Sequence, residues 1–275
     1  MWKRFVNWLR SLFGNKPDRV KIKGRVCMPL FYPRDGGGVR MTWDYLNKSS
    51  QEQDECRWWI KHYTIEGETP AIAFLLTPPN EAGMIFNPWP TIDKDALETA
   101  RYAIEKCVKD GIAVFPVLYT DDKPPWWYDI PINMDAWWHV HEAIGKHVNG
   151  YMLSIETNEQ ARDVGQIQDC IQAMREAMPD VDYYSTHLQW TGKGAYRWLG
   201  GDTTPTNANL ILVETSWPPQ SGDKMGYEML KNEVIAIAVN NPNTHICLHE
   251  YNWSCSKVNE AQRNMLRNMN LWGVG

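Results

Sequence analysis

The sequence predicts an α/β fold: a single (β/α)8 barrel of TIM type, with an atypical last repeat and an amphipathic N-terminal helix packed on it. Two observations carry that expectation. Short apolar strands alternate with amphipathic helical segments along most of the chain, the pattern of a parallel sheet. Several of those strands end in acidic and aromatic residues, at the C-terminal face where such a barrel keeps its chemistry. The 275 residues suit one domain of this kind, since barrels of roughly 250 residues fold as a unit.

The elements follow in order. Residues 1–14 have helical periodicity, with Trp2, Phe5, Trp8, Leu9 and Leu12 on one stripe. The segment is too interrupted for a secretory apolar core and too short to span a bilayer. It reads as a membrane-surface helix, a docking helix or a helix packed on its own barrel. The last is preferred, because a barrel whose chain stops after its eighth strand lacks a final helix to cover the seam beside the first. The proposed boundaries are therefore 1–19 for this helix and its link, and 20–275 for the barrel.

Strands are expected at 25–31, 71–76, 112–118, 151–155, 182–186, 210–213 and 244–249, with an eighth within 271–275. Helical patterns lie at 95–108, 134–148, 164–178 and 225–239. They stop at Asp110-Gly111, at Pro179 and at Asn241-Pro242, as helices do. The first crossover, 51–63, is less regular, and the one after the fifth strand, 195–199, is short.

Composition narrows the function. With 28 basic against 33 acidic residues, a net charge of -5, the chain lacks the basic footprint of a nucleic-acid binder. Its six cysteines form no metal spacing and read as reduced thiols of a cytoplasmic protein. No cofactor is expected: Gly36-Gly37-Gly38 lacks the spacing and following Lys of a phosphate loop. His139-Val-His141 lies in a helical pattern, where residues two apart diverge. Trp, at 15 residues against 6 Phe, exceeds what a core favours. A cleft whose indoles stack on sugar rings is one use for the excess.

The carboxylates sharpen that reading. Residues 243–253 read Asn-Thr-His-Ile-Cys-Leu-His-Glu-Tyr-Asn-Trp, and strand alternation puts Ile246, Leu248 and Glu250 on one face. Residues 150–159 form a second short apolar run ending in acid. Paired carboxylates at strand ends are what glycoside cleavage needs, one to protonate the leaving oxygen and one to attack or to activate water.

These two stretches resemble the seventh and fourth strands of the (β/α)8-barrel retaining glycoside hydrolase superfamily. Its seventh strand ends in the nucleophilic Glu followed by an aromatic residue, and its fourth ends in Asn-Glu, here Asn158-Glu159. The Pro that often follows is Gln160. The resemblance implies Glu250 as nucleophile and Glu159 as acid/base. It also implies Asn158 as partner of the hydroxyl next to the reacting carbon, and a carbohydrate as substrate. Strand register favours Glu156 over Glu159, on the face of Met152 and Ser154, and both remain candidates.

Other strand ends supply binding groups: His187, Gln189 and Trp190 after the fifth, Glu214 and Trp217 after the sixth, Tyr251 and Trp253 after the seventh. Trp126 and Trp127, in the loop after the third strand, are the candidate sugar platform. Glu156, His187, Glu214 and Glu250 would also suit a divalent ion in a sugar isomerase or epimerase. A non-catalytic carbohydrate-binding barrel is the third reading.

Overall fold

Alternation in the strands and caps on the helices dictate the architecture. The structure, a computed structural model, describes residues 18–33, 39–76, 85–87, 89–119, 130–157, 161, 163–188, 207–214, 235–249 and 273–274. Eight parallel strands close into a barrel: β1 (Arg25–Cys27), β4 (Glu68–Leu75), β5 (Ala113–Tyr119), β6 (Gly150–Ser154), β7 (Tyr183–Leu188), β8 (Leu210–Glu214), β9 (His245–His249) and β10 (Gly273–Val274). Closure is explicit at β1, where Val26 pairs with Thr69 on one side and Gly273 on the other. The short C-terminal strand is therefore the eighth stave.

Each strand sorts its side chains by period two. Ala71, Ala73, Ala113, Phe115, Val117, Met152, Leu210, Leu212 and Cys247 fill the barrel interior. Their neighbours Ile72, Phe74, Val114, Leu118, Tyr151, Leu153, Ile211 and Val213 face the helices. A strand buried on both faces reads as a continuous apolar run, which is what parallel strands show.

Helices lie between strands, among them α1 (Ser50–Tyr63), α2 (Lys94–Lys109), α3 (Met134–Ile144) and α4 (Val164–Ala177). Asp93 caps α2 by accepting from the Asp95 and Ala96 N–H groups, and Asp163 caps α4 through Gln166 N–H. Gly111, at φ 76, takes the left-handed position just past α2. The expected helix over 134–148 ends at Ile144, and 195–199 and most of 225–239 lie outside the described residues.

The first crossover, expected to be less regular than the others, is a full helix: α1 carries a capping box between Ser49 and Glu52. Its buried stripe is Gln53, Cys56, Arg57 and Ile60. Two of those residues are polar, which hides the periodicity. Gln53 donates to Tyr45 O at 3.1 Å, while Arg57 donates to Tyr45 Oη at 2.6 Å and to Asp110 at 2.7 Å, and also pairs with Asp54.

The expected first strand, 25–31, is also two elements. Met28-Pro29-Leu30 separates β1 from β2 (Phe31–Pro33), which pairs antiparallel with β3 (Val39–Met41) as a hairpin beyond the C-terminal end of β1. A Pro carries no N–H for a ladder, so the barrel strand stops before it.

The N-terminal face is stitched by asparagines. Asn149, just before β6, accepts from Val114 N–H at 3.2 Å and donates to Val20 O at 2.8 Å. Asn209 does the same before β8, accepting from Tyr184 N–H at 2.7 Å and donating to Asp182 O at 2.8 Å. Gly150 is needed beside them, because a Cβ there would collide with Tyr183 O.

Arg19 ties the incoming chain under the same face by donating to Val148 O at 3.3 Å and Asp180 O at 2.6 Å. Residues 1–17, with the expected packing of Trp2, Phe5 and Leu9, lie outside the described residues. Among the described residues no helix is long and apolar enough to cross a membrane.

Candidate active site

The C-terminal ends of β6 and β7 form the described part of the site. Ser154 ends β6, and the chain turns at once. Ile155 N–H donates to Tyr119 O at 3.3 Å, reaching back to β5. Thr157 is fully buried; its hydroxyl donates to Ser154 O and lies 3.1 Å from Ser154 Oγ. Between them Glu156 is half-buried with φ 48, in the left-handed region. A non-glycine residue held there costs about 1–3 kcal/mol, so the surroundings must enforce it.

His187 supplies the enforcing contact. The Glu156 N–H donates to His187 Nδ1 at 3.0 Å. An accepting Nδ1 puts the ring proton on Nε2, so this is the neutral tautomer. Burial alone lowers the imidazole pKa to about 3, which keeps the acceptor lone pair available at every physiological pH. Trp43 presents its ring perpendicular to this imidazole, with centroids 6.0 Å apart. Trp43 is itself fixed where its carbonyl accepts Leu75 N–H at 2.9 Å, at the top of β4.

This geometry revises an argument from alternation. Register had placed Glu156 on the face of Met152 and Ser154. However, Ile155 joins Met152 in the interior cluster, so alternation ends at Ser154 and no longer orients Glu156. In β9, Ile246 packs in the helix-facing cluster and Cys247 in the interior. Ile246 thus lies on the helix-facing side of β9. β9 is described from His245 to His249, and Glu250 lies outside the described residues.

Of the sequence-predicted residues, the structure brings Glu156 and His187 together. Glu214 is the last residue of β8, paired in register with His249 of β9; its backbone is described. Trp126, Trp127, Asn158, Glu159, Gln189, Trp190, Trp217, Glu250, Tyr251 and Trp253 lie outside the described residues. Trp43, Ser154 and Thr157 were missed by sequence reasoning. The available signal for Trp43 was its place directly after the glycine-rich hairpin on the C-terminal side.

The remaining histidines of interest are accounted for by packing. His139 is exposed beside Glu142, whereas His141 is half-buried against Tyr151 Oη at 3.1 Å, with its pKa lowered to about 4, chiefly by desolvation. Among the described residues no group of three or more His, Cys, Asp or Glu could hold a metal ion. Cys27, Cys56, Cys107, Cys170 and Cys247 are buried, and burial pushes the Cys107 thiol up to about 12. Trp137 is core, donating to Tyr119 Oη at 3.0 Å on the helix side of the barrel.

No protein-family model matches the sequence. None of the curated proteins compared with it is similar in sequence. Solved structures do match. The GH5_18 enzyme from Bifidobacterium longum subsp. longum is 13% identical, over 91% of this chain and 69% of that one, with a TM-score of 0.56. A β-glucosidase from Exiguobacterium marinum is 10% identical, over 94% and 89%, at 0.55. A hyperthermophilic endo-β-1,4-glucanase, solved with substrate, is 13% identical, over 92% and 88%, at 0.54. At such identities the likeness is one of architecture: this chain has the (β/α)8-barrel fold of glycoside hydrolases.

Proposed function

We propose that this protein is a retaining glycoside hydrolase acting on a β-linked oligo- or polysaccharide. The observation that carries the reading is strand order. β6 and β9 are the fourth and seventh staves of a closed parallel barrel. β6 leads within a few residues to Glu156 and Glu159, and β9 leads directly to Glu250. The fold alone would not fix a function, because barrels host many chemistries. Acidic residues following these two staves, in a fold shared with β-glycosidases, favour this one.

In the proposed reaction the Glu250 carboxylate attacks the anomeric carbon as the glycosidic C–O bond breaks. Glu159 gives its proton to the departing oxygen, with Glu156 as the competing acid. The resulting glycosyl ester is cleaved by water, which loses its proton to the same acid/base and restores the free Glu250 carboxylate. Such enzymes hold the two carboxyls ~5–5.5 Å apart, against ~6.5–9.5 Å for inversion. The negative nucleophile raises the pKa of its neighbour and keeps it protonated for the first step. Asn158 would bind the hydroxyl beside the reacting carbon. Gln189, Glu214 and Tyr251 would border the sugar, and Trp126, Trp127, Trp190, Trp217 and Trp253 would stack on it.

The deciding experiment is a screen of β-linked oligosaccharides and aryl β-glycosides with wild type and Glu250→Ala. Turnover should vanish in the variant. Azide should then restore it with activated glycosides, giving a glycosyl azide of inverted configuration. Normal rates for Glu250→Ala would sink the assignment.

A further inference from the structure

We infer that His187 is a positioning residue for acid/base catalysis: its Nδ1 holds the Glu156 N–H and so fixes the turn from which the chain enters Asn158-Glu159. This rests on the glycosidase reading, and it gives His187 a role other than touching sugar.

The turn has the character of a set-piece. Two residues after β6 ends, the backbone enters the left-handed region without a glycine. Such a conformation persists only where its surroundings over-determine it, and it gathers at functional sites. Three contacts do so here. Ile155 N–H reaches back to Tyr119 O on β5, and the Thr157 hydroxyl closes on Ser154 O within the turn. The Glu156 N–H reaches forward to His187 on β7. Of the three, the contact to His187 is the shortest at 3.0 Å.

His187 is a stiff anchor. It lies within β7, in register with Leu212 of β8, so its backbone is held by a strand ladder. Its ring is fully buried and stands against the perpendicular face-to-edge contact with Trp43. A change in φ or ψ at Glu156 would redirect the backbone that leads on to Asn158 and Glu159. General acid catalysis requires the donor within hydrogen-bond reach of the glycosidic oxygen, so a loosened turn should appear first as lost protonation.

The bland alternative is a core histidine satisfied by a convenient N–H, important for stability alone. Two isosteric probes separate the readings. In His187→Asn the amide oxygen can occupy the place of Nδ1 and keep the acceptor. In His187→Gln the amide lies nearer the place of Nε2 and abandons the Glu156 N–H. Both variants would be assayed on aryl β-glycosides ranging from good to poor leaving groups, alongside Tm.

His187→Gln should lose on the order of 100-fold in kcat/KM on poor leaving groups and little on activated ones, with His187→Asn largely restoring the rate. Equal loss across leaving groups, or no rescue by His187→Asn in a folded protein, would overturn the inference. Nitrogen-15 spectra of the wild type supply a check that needs no variant: His187 Nδ1 should be the unprotonated nitrogen, and a proton there refutes the contact. Failure of the glycosidase reading would look different, as a wild type without glycosidase activity or a Glu250→Ala variant at normal rates.

Discussion

Trp43 and His187 meet at right angles, 88° between ring planes, inside the C-terminal mouth of the barrel. The indole comes from the segment between the β2–β3 hairpin and α1, and the imidazole from β7, so one contact joins opposite parts of the wall. Trp43 also packs in the interior cluster with Leu30 and Leu75. Trp43→Ala should therefore lower stability by about 3–5 kcal/mol, the range for a large buried aromatic. It should also let water reach His187 and move its pKa up toward the ordinary value near 6.5, which an NMR titration would follow. An unchanged titration would mean that other groups keep the imidazole dry.

Desolvated neutral histidines set an acid limit. His187 and His141 have folded-state pKa values lowered to about 3 and about 4 by burial, against 6.5 when exposed. The unfolded chain thus binds more protons than the folded one below pH 6.5, and stability falls as pH falls through that window. Above it the two residues contribute no slope. Each can contribute up to about 1.4 kcal/mol per pH unit. Urea unfolding between pH 7 and pH 5 should show this loss, and His141→Gln should make the slope shallower. A pH-independent midpoint in that range would contradict the desolvation of both rings.

The asparagine stitches should act on stability alone. Asn149→Leu removes the acceptor for Val114 N–H and the donor to Val20 O. Each buried group left unpaired costs roughly 1–3 kcal/mol. Because Asn149 precedes β6 at the face opposite the chemistry, KM and kcat of the folded fraction should hold. A large kinetic defect with unchanged Tm would reverse that assignment.

Much of the fold was legible because strand runs, Gly and Pro stops and acidic caps act locally. Asp110-Gly111 and Pro179 closed their helices where they stood in the sequence. What stayed hidden depended on partners far along the chain. The helix α1 was obscured because Gln53 and Arg57 face inward, and only Tyr45 and Asp110 explain how they can. The first strand was over-long because Pro29 divides a barrel stave from a hairpin that sequence does not pair. At the site, alternation was extended past the strand end at Ser154, where it no longer applies. The His187 contact could not be read in advance, since it needs the register of β6 against β7 and an unexpected left-handed residue at the turn.

That turn residue turns the choice between Glu156 and Glu159 into an experiment. With alternation broken at Ile155, register no longer argues for Glu156, and its left-handed backbone gives it a conformational role. Glycine adopts φ 48 without strain, so Glu156→Gly keeps the backbone and its N–H while deleting the carboxyl. If Glu159 is the acid/base, Glu156→Gly should hold or raise Tm and keep the leaving-group dependence of the wild type. Glu159→Ala should instead lose roughly 100-fold or more on poor leaving groups, the usual scale for general acid catalysis, while forming the glycosyl-enzyme readily from activated ones. Azide should then speed turnover of that intermediate and give a glycosyl azide of retained configuration, opposite to the product from Glu250→Ala. The reverse pattern, with leaving-group dependence and azide rescue in Glu156→Gly, would make Glu156 the proton donor and Glu159 a residue of the helix that follows.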